Sequence, residues 1–373
     1  MSDVGETGTV AIADPDVGDD EARRVAEVVE SGRLADGPEV RAFEREFADY
    51  CEVSRAVATS NGTTALHAAL AAVGVGEDDT VLTTPFSFVA SANAIRFVGA
   101  TPRFVDVDPS TFALDPDAVE RALRDGGVDA ILAVHLYGLP ADVSRLAALA
   151  DEHDVALVED AAQAHGATVD GTPVGGFGDA AAFSFYPTKN MTTGEGGMVT
   201  TDDPAVAERA ARFVNHGRAA DGGGHVDLGH NFRMTSLAAA MGRVQLEKLP
   251  GYVERRRDHA ARLDDHLADT PVVTPATPPG RRHAYHQYTV RCGNRDAVRE
   301  RLDERDIETG IYYPRAIPDQ PAFDGVDAEV PVARRLADEV LSLPVHPRLS
   351  TAEVDRVGRT LATDVEVDEV AHV

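Results

Sequence analysis

A lysine is the first candidate for chemistry in this chain. Lys189 and Lys248 are the only two lysines among 373 residues, and arginine fills the other basic positions. A buried amine can lose its proton and attack a carbonyl carbon, whereas a guanidinium stays protonated. Lys189 follows an apolar run and precedes a Thr-Gly-Glu-Gly-Gly sequence, which predicts a covalent role. Lys248 lies in an Arg-rich helical stretch and is interpreted as a surface residue retained by chance.

An acidic residue at the end of a predicted strand is the second candidate. Asp160 closely follows the apolar run at residues 155–158, where a carboxylate is costly unless it pairs with a cation. A protonated pyridine nitrogen is such a cation, and the carboxylate keeps the ring an electron sink. Gln163 could direct its amide at a neighbouring ring oxygen. The alternative is a structural Asp160 that caps the next helix.

Two further segments contain groups that suit a phosphate. Residues 60–66 read Ser-Asn-Gly-Thr-Thr-Ala-Leu at a predicted strand-to-helix junction, where backbone N–H groups and the helix dipole favour an anion. An ordinary helix cap is the alternative there. Ser184, five residues before Lys189, offers another hydroxyl. A phosphate site, an acidic strand end and a lone lysine, in that order, favour pyridoxal 5′-phosphate (PLP) as cofactor.

Composition limits the class of protein. The formal net charge is −28, from 63 acidic and 35 basic residues, and such a surface repels nucleic-acid phosphates and anionic lipids. An acid-rich, lysine-poor chain is typical of molar salt, where the Debye length is about 3 Å. We therefore expect a halophilic protein that binds neither nucleic acid nor membrane.

Several common signals are absent from the sequence. Cys51 and Cys292 lie far apart without CxxC spacing, which excludes a disulfide framework and indicates no metal site. Residues 1–6 have no basic region and no apolar core, so no secretory signal is expected. No apolar run approaches the ~18 residues of a membrane span. Together these features predict a soluble, cytoplasmic protein.

Apolar strand-like runs alternate with helical patterns over much of the chain. This alternation predicts an α/β fold with a mostly parallel sheet covered by helices on both faces. Strands are expected at residues 55–59, 80–84, 102–107, 130–135, 155–159, 179–185 and 197–201. Helices are expected between them at residues 63–73, 88–97, 116–124 and 143–153, and after them at residues 204–214.

The second part of the chain reads differently. The Pro-Gly pair at residues 250–251 is interpreted as a break between helices at residues 235–249 and 252–268. A strand at residues 286–292 and helices at residues 296–305 and 333–339 predict a small α+β module. The expected domains are residues 1–250, a large PLP-binding domain, and residues 251–373, a small C-terminal domain that ends in a loose acidic tail.

Several segments, in order and over nearly the whole length, resemble one family. They are residues 37–44, 60–66, 84–89, 159–166, 184–190, 231–236, 320–323 and 341–347. The chain is similar to the DegT/DnrJ family of PLP-dependent nucleotide-sugar aminotransferases, which implies the type I PLP-dependent transferase fold.

The resemblance also implies roles for individual residues. Lys189 would carry the cofactor covalently, with Asp160 at the pyridine nitrogen, Gln163 at the phenolic oxygen and Phe88 stacked on the ring. The phosphate would be held by Gly62, Thr63, Ser184 and, from the second subunit of a homodimer, Asn231. Two departures from the family pattern, at residues 312–314 and 316–318, are expected to lie outside the cofactor site and to affect the substrate alone.

The function implied by this resemblance is amino transfer for amino-sugar or cell-surface polysaccharide biosynthesis. An amino-acid donor, L-glutamate in the family pattern, would supply the amino group to a nucleotide-linked keto-sugar. One alternative is a PLP-dependent sugar dehydratase or deoxygenase, although those relatives have histidine at the lysine position. A non-catalytic PLP-binding regulator and a transaminase for a small ketone are two more.

A nucleotide diphosphate is an anion, and this protein is strongly acidic. Local arginines must therefore overcome the repulsion, because a guanidinium can bind a phosphate with two parallel hydrogen bonds. The candidates lie in loop-like segments and are Arg218, Arg233, Arg281, Arg282 and Arg315. For each one taken singly, a solvated surface charge is the alternative interpretation.

Overall fold

The computed structural model describes residues 8–326 and 328–370. The expected lack of a secretory signal depends on residues 1–6, and these lie outside the described residues. The strands in chain order are β1 (Arg55–Thr59), β2 (Thr80–Thr83), β3 (Thr101–Phe104), β4 (Ala130–Val134), β5 (Ala156–Asp160), β6 (Thr168–Val169), β7 (Thr172–Pro173), β8 (Ala180–Ser184), β9 (Gly197–Thr201), β10 (Arg281–Arg282), β11 (Tyr288–Arg291) and β12 (Val340–Leu343).

The helices alternate with these strands over the first two hundred residues, as the sequence pattern predicts. They are α1 (Asp19–Ser31), α2 (Pro38–Tyr50), α3 (Gly62–Val73), α4 (Ala90–Phe97), α5 (Pro116–Arg124), α6 (Val143–His153), α7 (Pro204–Val214), α8 (Ser236–Leu267), α9 (Arg295–Asp303), α10 (Pro331–Glu339) and α11 (Thr351–Arg359).

The central sheet has seven strands in the order β1-β9-β8-β5-β4-β2-β3. β9 runs antiparallel to both of its neighbours, whereas β8, β5, β4, β2 and β3 pair in parallel. All five residues of β4 and all five of β8 are buried, which accounts for their continuous apolar sequences. The predicted α/β fold is confirmed by this mostly parallel sheet.

Local sequence signals determine where several helices begin. The Asn61 side chain accepts a hydrogen bond from Thr64 N at the start of α3, and Thr64 Oγ1 accepts one from Asn61 N. Asp203 caps α7 in a similar way, through Ala205 N, and Pro204 follows it. Both patterns supply acceptors for N–H groups that have no partner within the helix.

Helix α8 does not break at Pro250, so the predicted interruption there is wrong. The helix has 32 residues, with Pro250 inside it. A proline removes one N–H donor and crowds the preceding turn, but burial on both sides of it holds the helix together. Leu249 and Val253 are 0% and 1% exposed. The boundary between residues 250 and 251 therefore falls within a continuous helix, and the division into two domains stays a prediction.

The C-terminal part is an α+β unit in which β11 pairs antiparallel with β12. Its core also takes in Val10 from the start of the chain, which bridges to Ile307. The predicted loose tail is wrong for the residues that can be described. Asp368 O accepts a hydrogen bond from Gly293 N over 2.9 Å, and Asp368 N donates to Asn294 Oδ1 over 2.9 Å.

The cysteines, the metal-binding side chains and the long helices bear on three features that the sequence is expected to lack. Cys51 and Cys292 are both free and buried. Within residues 8–326 and 328–370, no group of His, Cys, Asp and Glu side chains could hold a metal ion. No helix in the same residues has the length and apolar character to cross a bilayer.

Candidate active site

The predicted site residues follow three strands whose carboxyl ends lie at the same edge of the sheet. β1 leads into residues 60–63, β5 ends at Asp160, and β8 ends at Ser184. β8 pairs directly with β5, and β9 separates β8 from β1. Ligands of open α/β sheets bind beyond the carboxyl ends of parallel strands. The three sequence signals, although distant along the chain, therefore meet at the edge where a ligand is expected.

Lys189 lies on the loop that leaves β8. Its backbone N–H donates to Tyr186 O over 2.9 Å, and its side chain is half-buried. Burial lowers the pKa of the Lys189 amine, and the nearby Asp160 carboxylate partly opposes that effect, leaving the pKa at about 8. About a tenth of the amine is therefore neutral, and so nucleophilic, at pH 7, far more than for an ordinary lysine.

Asp160 is 5% exposed at the end of β5. Its carboxylate accepts hydrogen bonds from Ser91 Oγ over 2.7 Å and from Ala162 N over 3.2 Å. Ser87 Oγ lies 3.0 Å from Ser91 Oγ and extends the chain of hydroxyls. Burial raises the pKa of Asp160, although these donors and the Lys189 charge lower it in part. Such a carboxylate is poised to hold a proton on a cationic ring nitrogen.

Gln163 is held from both ends of its amide. Its Oε1 accepts from Tyr137 N over 2.7 Å, and its Nε2 donates to the phenolic oxygen of Tyr313 over 3.1 Å. The second Nε2 hydrogen remains for a ligand. The Tyr313 ring also lies 6.0 Å, centroid to centroid, from Phe88.

Tyr313 therefore corrects one expectation. The segment 312–314 was expected to lie outside the cofactor site, but Tyr313 contacts two of the predicted cofactor-binding side chains. Sequence reasoning also missed Ser91 and Tyr137, because nothing in their local sequence shows which strand end they face. Phe88 itself is 53% exposed, which leaves its ring face open to a ligand.

A close approach between α3 and β8 forms the candidate phosphate site. A Cβ atom on Gly62 would lie 2.6 Å from Ser184 Cβ and 2.9 Å from Ser184 Oγ. Only glycine therefore lets the helix start come this near to the serine. The cap uses the N–H of Thr64, while Ala65 N bonds to Asn61 O. The earlier N–H groups, on Gly62 and Thr63, remain for an anion.

Asn231 does not reach this site within one chain. It is exposed, and its Oδ1 accepts a hydrogen bond from Arg233 Nη2 over 2.6 Å. The next residue, Phe232, accepts from Ser60 N over 2.7 Å, which holds the segment against the end of β1. Among the described residues, no hydrogen bond links Asn231 to Ser184 or Lys189.

A buried pair beneath the site also escaped sequence reasoning. Glu159 and His135 are both 0% exposed, and His135 Nε2 lies 2.9 Å from Glu159 Oε2. Glu159 accepts further bonds from the N–H groups of Gly175, Phe177 and Gly178. Because Glu159 precedes Asp160 on β5, this network holds the strand end that presents Asp160. The adjacent acidic residues Glu159 and Asp160 are the only feature of the sequence that indicates this network.

Lys248 has a structural partner, so its interpretation as a chance surface residue is wrong. Its Nζ lies 2.7 Å from Oε1 of Glu21, which is 0% exposed. Gln245 Nε2 donates to the same oxygen over 2.7 Å. The second lysine of the chain therefore neutralises a buried carboxylate between α1 and α8, whereas Lys189 is the lysine near the strand ends.

The five arginines proposed for a diphosphate fall into two groups. Arg281 pairs with Asp142 over 2.9 Å, and Arg282 pairs with Glu254, so both have carboxylate partners. Arg233 donates to Asn215 and Asn231. Arg218 and Arg315 are exposed, and neither forms an ion pair with another described residue. Arg218, Arg233 and Arg315 therefore remain candidates.

The assembled donors and acceptors fit the chemistry of PLP. Gly62 allows an N–H and hydroxyl cradle that a side chain at that position would fill. Asp160 is a buried carboxylate, and Lys189 is an amine whose pKa is lowered by burial. These are the partners that a phosphate, a protonated ring nitrogen and an aldehyde require.

The chain is similar over most of its length to proteins of one aminotransferase family. A profile of the DegT/DnrJ/EryC1/StrS aminotransferase family matches residues 15–362. The chain is 41% identical over 347 residues to a "pleiotropic regulatory protein" of Geobacillus stearothermophilus, covering 91% of this chain and 93% of the relative. It is 40% identical over 367 residues to the dTDP-3-amino-3,4,6-trideoxy-alpha-D-glucose transaminase of Streptomyces venezuelae, covering 96% of each.

A solved structure extends the similarity to the fold. The structure of S. venezuelae DesV, in complex with a ketimine intermediate, superposes with a TM-score of 0.89 at 39% sequence identity. The match covers 93% of this chain and 95% of that one. The fold is therefore that of the PLP-dependent aminotransferases, as the sequence resemblance implied. From the extent of these matches, the chain belongs to the DegT/DnrJ/EryC1/StrS aminotransferase family.

Proposed function

We propose that this protein is a PLP-dependent aminotransferase that moves an amino group from an amino-acid donor to a nucleotide-linked keto-sugar. The observation that carries the proposal is the position of Lys189 and of the buried Asp160 at the ends of two paired strands, β8 and β5, where burial lowers the pKa of the Lys189 amine to about 8 and the Asp160 charge opposes that shift. Membership of the family and the sugar transaminase of S. venezuelae, 40% identical, support the substrate class.

Lys189, Asp160 and Gln163 each have a defined task in this reaction. When bound, PLP supplies an electron sink that stabilises negative charge at the carbon next to the transferred nitrogen. Lys189 would hold the cofactor and, once the donor amine has displaced it, its free amine would carry a proton to and from the substrate as a general acid–base. Asp160 would hold the proton on the ring nitrogen, and the hydrogen bond from Ser91 Oγ fixes the position of its carboxylate. Gln163 orients the phenolic oxygen.

The phosphate would be held by Gly62, Thr63 and Ser184, with Phe88 on the ring face. We further propose a homodimer in which Asn231 of a second copy completes the phosphate site. The exposure of Asn231 and its lack of contact with Lys189 in one chain support that arrangement. The nucleotide diphosphate would bind to Arg218, Arg233 and Arg315, which have no carboxylate partner among the described side chains.

We also propose a compartment for the protein and a division into two domains. A net charge of −28 with two lysines supports a cytoplasm of high ionic strength. The first part of α8, as far as Val253, packs in one apolar core and its last part, from Ala260, in another, which supports a large PLP-binding domain and a smaller C-terminal one although α8 is continuous through residues 250 and 251.

A regulatory protein without turnover is the second candidate, because the relative from G. stearothermophilus has a regulatory name. A silent PLP-binding protein has no need of a buried carboxylate opposite the lysine, and this chain retains Asp160 with its Ser91 donor. A sugar dehydratase is less compatible with the site, because Lys189 stands where those relatives have histidine.

The experiment compares acceptors for the amine form of the cofactor. Purified protein is first converted to that form with L-glutamate, and the return of the aldehyde spectrum is then followed in a stopped-flow instrument. We expect a nucleotide-linked keto-hexose to react far faster than the free sugar or pyruvate. Equal rates with pyruvate would assign a small-ketone transaminase, and no spectral change with any donor or acceptor would favour the regulator.

A further inference from the structure

A turn that follows β4 contains a buried tyrosine in an unusual backbone conformation. Tyr137 lies in the middle of this turn, is 3% exposed and has a φ of 59° and a ψ of 2°. These angles fall in the left-handed region, which disfavours every residue with a side chain larger than that of glycine. Such a conformation persists where the surrounding structure holds it, and it often marks a residue with a task.

The backbone of the turn joins two other segments of the chain. The Tyr137 N–H donates to Gln163 Oε1 over 2.7 Å, and the Tyr137 carbonyl oxygen accepts from Gln287 N over 3.1 Å. A Cβ atom on Gly138 would lie 2.9 Å from His286 N and 3.1 Å from Gln163 O. The turn therefore fills the space between the segment after β5 and the segment that precedes β11.

The side chain of Tyr137 joins a third segment. Its hydroxyl donates to the backbone oxygen of Tyr312, and its ring packs edge-on against Phe112 with the centroids 5.4 Å apart. Burial raises the pKa of the Tyr137 hydroxyl well above its usual value, and the nearby Tyr313 adds to that shift. The hydroxyl therefore keeps its proton and remains a donor to Tyr312.

These bonds close a ring with the bond that joins Gln163 to Tyr313. Gln163 Nε2 donates to the phenolic oxygen of Tyr313 over 3.1 Å. Tyr313 follows Tyr312 in the chain, and the Tyr312 oxygen accepts from the Tyr137 hydroxyl. The Tyr137 N–H then holds the other end of the Gln163 amide. Each bond of a closed network restrains the others, so the loss of one loosens the rest.

We infer that Tyr137 is a positioning residue, which couples the segment at Tyr312 and Tyr313 to the Gln163 amide and so fixes that amide against the cofactor ring. The inference rests on the proposed role of Gln163 at the phenolic oxygen of the cofactor. The alternative is an ordinary core tyrosine whose hydroxyl finds an acceptor. Only a positioning residue acts through Tyr313 and changes the absorption of the bound cofactor.

Tyr137→Phe tests the inference in the PLP-loaded enzyme, because it removes the hydroxyl and keeps the ring and the backbone bonds. The absorption maximum should shift in the same direction as in Tyr313→Phe. The apparent dissociation constant of PLP should rise about 2- to 10-fold, the range for a neutral hydrogen bond.

Tyr288→Phe is the matched control for the loss of a buried hydroxyl. Tyr288 is 0% exposed, and its hydroxyl donates to Asp264 Oδ1 over 2.6 Å. It packs in a different apolar core from Tyr137. Tyr288→Phe should therefore retain the absorption maximum and the PLP affinity of the wild-type protein.

A double variant separates positioning from simple packing. If Tyr137 acts through Tyr313, the protein with both Tyr137→Phe and Tyr313→Phe should bind PLP within about 2-fold of either single variant, because the ring is already open. Independent contributions would multiply, to about 4- to 100-fold. That result, or a wild-type spectrum for Tyr137→Phe, would overturn the inference.

These measurements need no acceptor, so they are independent of the proposed substrate. A protein that shows the expected coupling but never aminates a keto-sugar would contradict the proposed function and leave the role of Tyr137 intact.

If Tyr137→Phe does not fold, the cofactor-free Tyr313→Phe protein provides the test. Opening the ring at Tyr313 should loosen the Gln163 amide, so the backbone N–H of Tyr137 should exchange with deuterium at least about 10-fold faster than in the wild type. The N–H groups of β4, which pairs with β2 and β5, should exchange at unchanged rates. Equal exchange of the Tyr137 N–H in the two proteins would overturn the coupling.

Discussion

Gln163 and Tyr313 are joined by a hydrogen bond of 3.1 Å from the amide Nε2 to the phenolic oxygen. This bond connects the strand-end segment after β5 to the C-terminal α+β unit, 150 residues further along the chain. It fixes the amide with its oxygen towards Tyr137 N and its remaining hydrogen towards the candidate ring site. The orientation of the Gln163 amide therefore depends on Tyr313, and removing the Tyr313 hydroxyl should disturb it.

Tyr313→Phe should lower kcat about 2- to 10-fold, the range expected for a neutral hydrogen bond. The absorption maximum of the bound cofactor should also shift, because Gln163 loses one of its two anchors. Tyr312→Phe is the control, since the backbone oxygen of Tyr312 still accepts from Tyr137. Identical spectra and rates for both variants would show that Tyr313 does not orient Gln163.

The second prediction concerns the pH dependence of cofactor uptake. The pKa of Lys189 is lowered to about 8, so the amine is protonated below that pH and neutral above it. The neutral amine is the nucleophile, and uptake of PLP by cofactor-free protein should therefore accelerate as pH rises through about 8. Asp160 raises this pKa, so Asp160→Asn should move the midpoint to lower pH.

Asp160→Asn should nonetheless reduce kcat by at least about 100-fold, because the ring nitrogen loses its carboxylate. The exposed Asp151 on α6 provides the control variant Asp151→Asn. Stopped-flow uptake between pH 6.5 and 9.5, about 1.5 units on either side of the midpoint, measures the shift, and steady-state assays of the same variants measure kcat. A midpoint that moves upward in Asp160→Asn would contradict the assigned pairing.

The third prediction tests the shared site. Asn231→Ala and Lys189→Ala proteins should each be nearly inactive, and a mixture that exchanges subunits should regain activity. One in four sites of a random mixed population would be intact at most, so about 25% recovery is the ceiling. Lys248→Ala mixed with Lys189→Ala is a control for exchange alone. Full activity of Asn231→Ala, or of a monomer at the assay concentration, would exclude a shared site.

The fourth prediction concerns the other lysine. Burial raises the pKa of Glu21, but hydrogen bonds from Lys248, Gly18 N and Gln245 outweigh it and leave the pKa lowered. This contribution to stability is therefore present above the ordinary carboxyl pKa and is lost as pH falls through the lowered one.

Lys248→Met should reduce the free energy of unfolding at pH 7 by about 2 kcal/mol, as expected for a hydrogen bond to a charged group. Lys248→Arg retains the charge and should lose less. Urea unfolding at fixed salt measures both. A Lys248→Met protein as stable as the wild type would mean that Gln245 and Gly18 are sufficient partners for Glu21.

The order of elements and the candidate chemistry were predictable from sequence because they depend on local patterns. The continuous apolar runs of β4 and β5 predict buried parallel strands, and Asn61 and Asp203 mark helix starts. Because lysine is rare in this chain, Lys189 stands out as a candidate from sequence alone. Gly62 and Asp160 lie far from it along the chain, but the predicted strands bring all three residues to the same edge of the sheet. The roles of these residues remain predictions.

Only the tertiary structure determines which residues of different elements contact one another. Helix α8 persists through Pro250 because Leu249 and Val253, on either side of it, pack in an apolar core with residues of other elements, and this burial outweighs the local cost of proline. The partner of Lys248 is a glutamate more than two hundred residues away, and Tyr313 reaches Gln163 from a different part of the fold. Local sequence determines backbone preference, whereas charge pairing and desolvation depend on what the folded chain brings alongside.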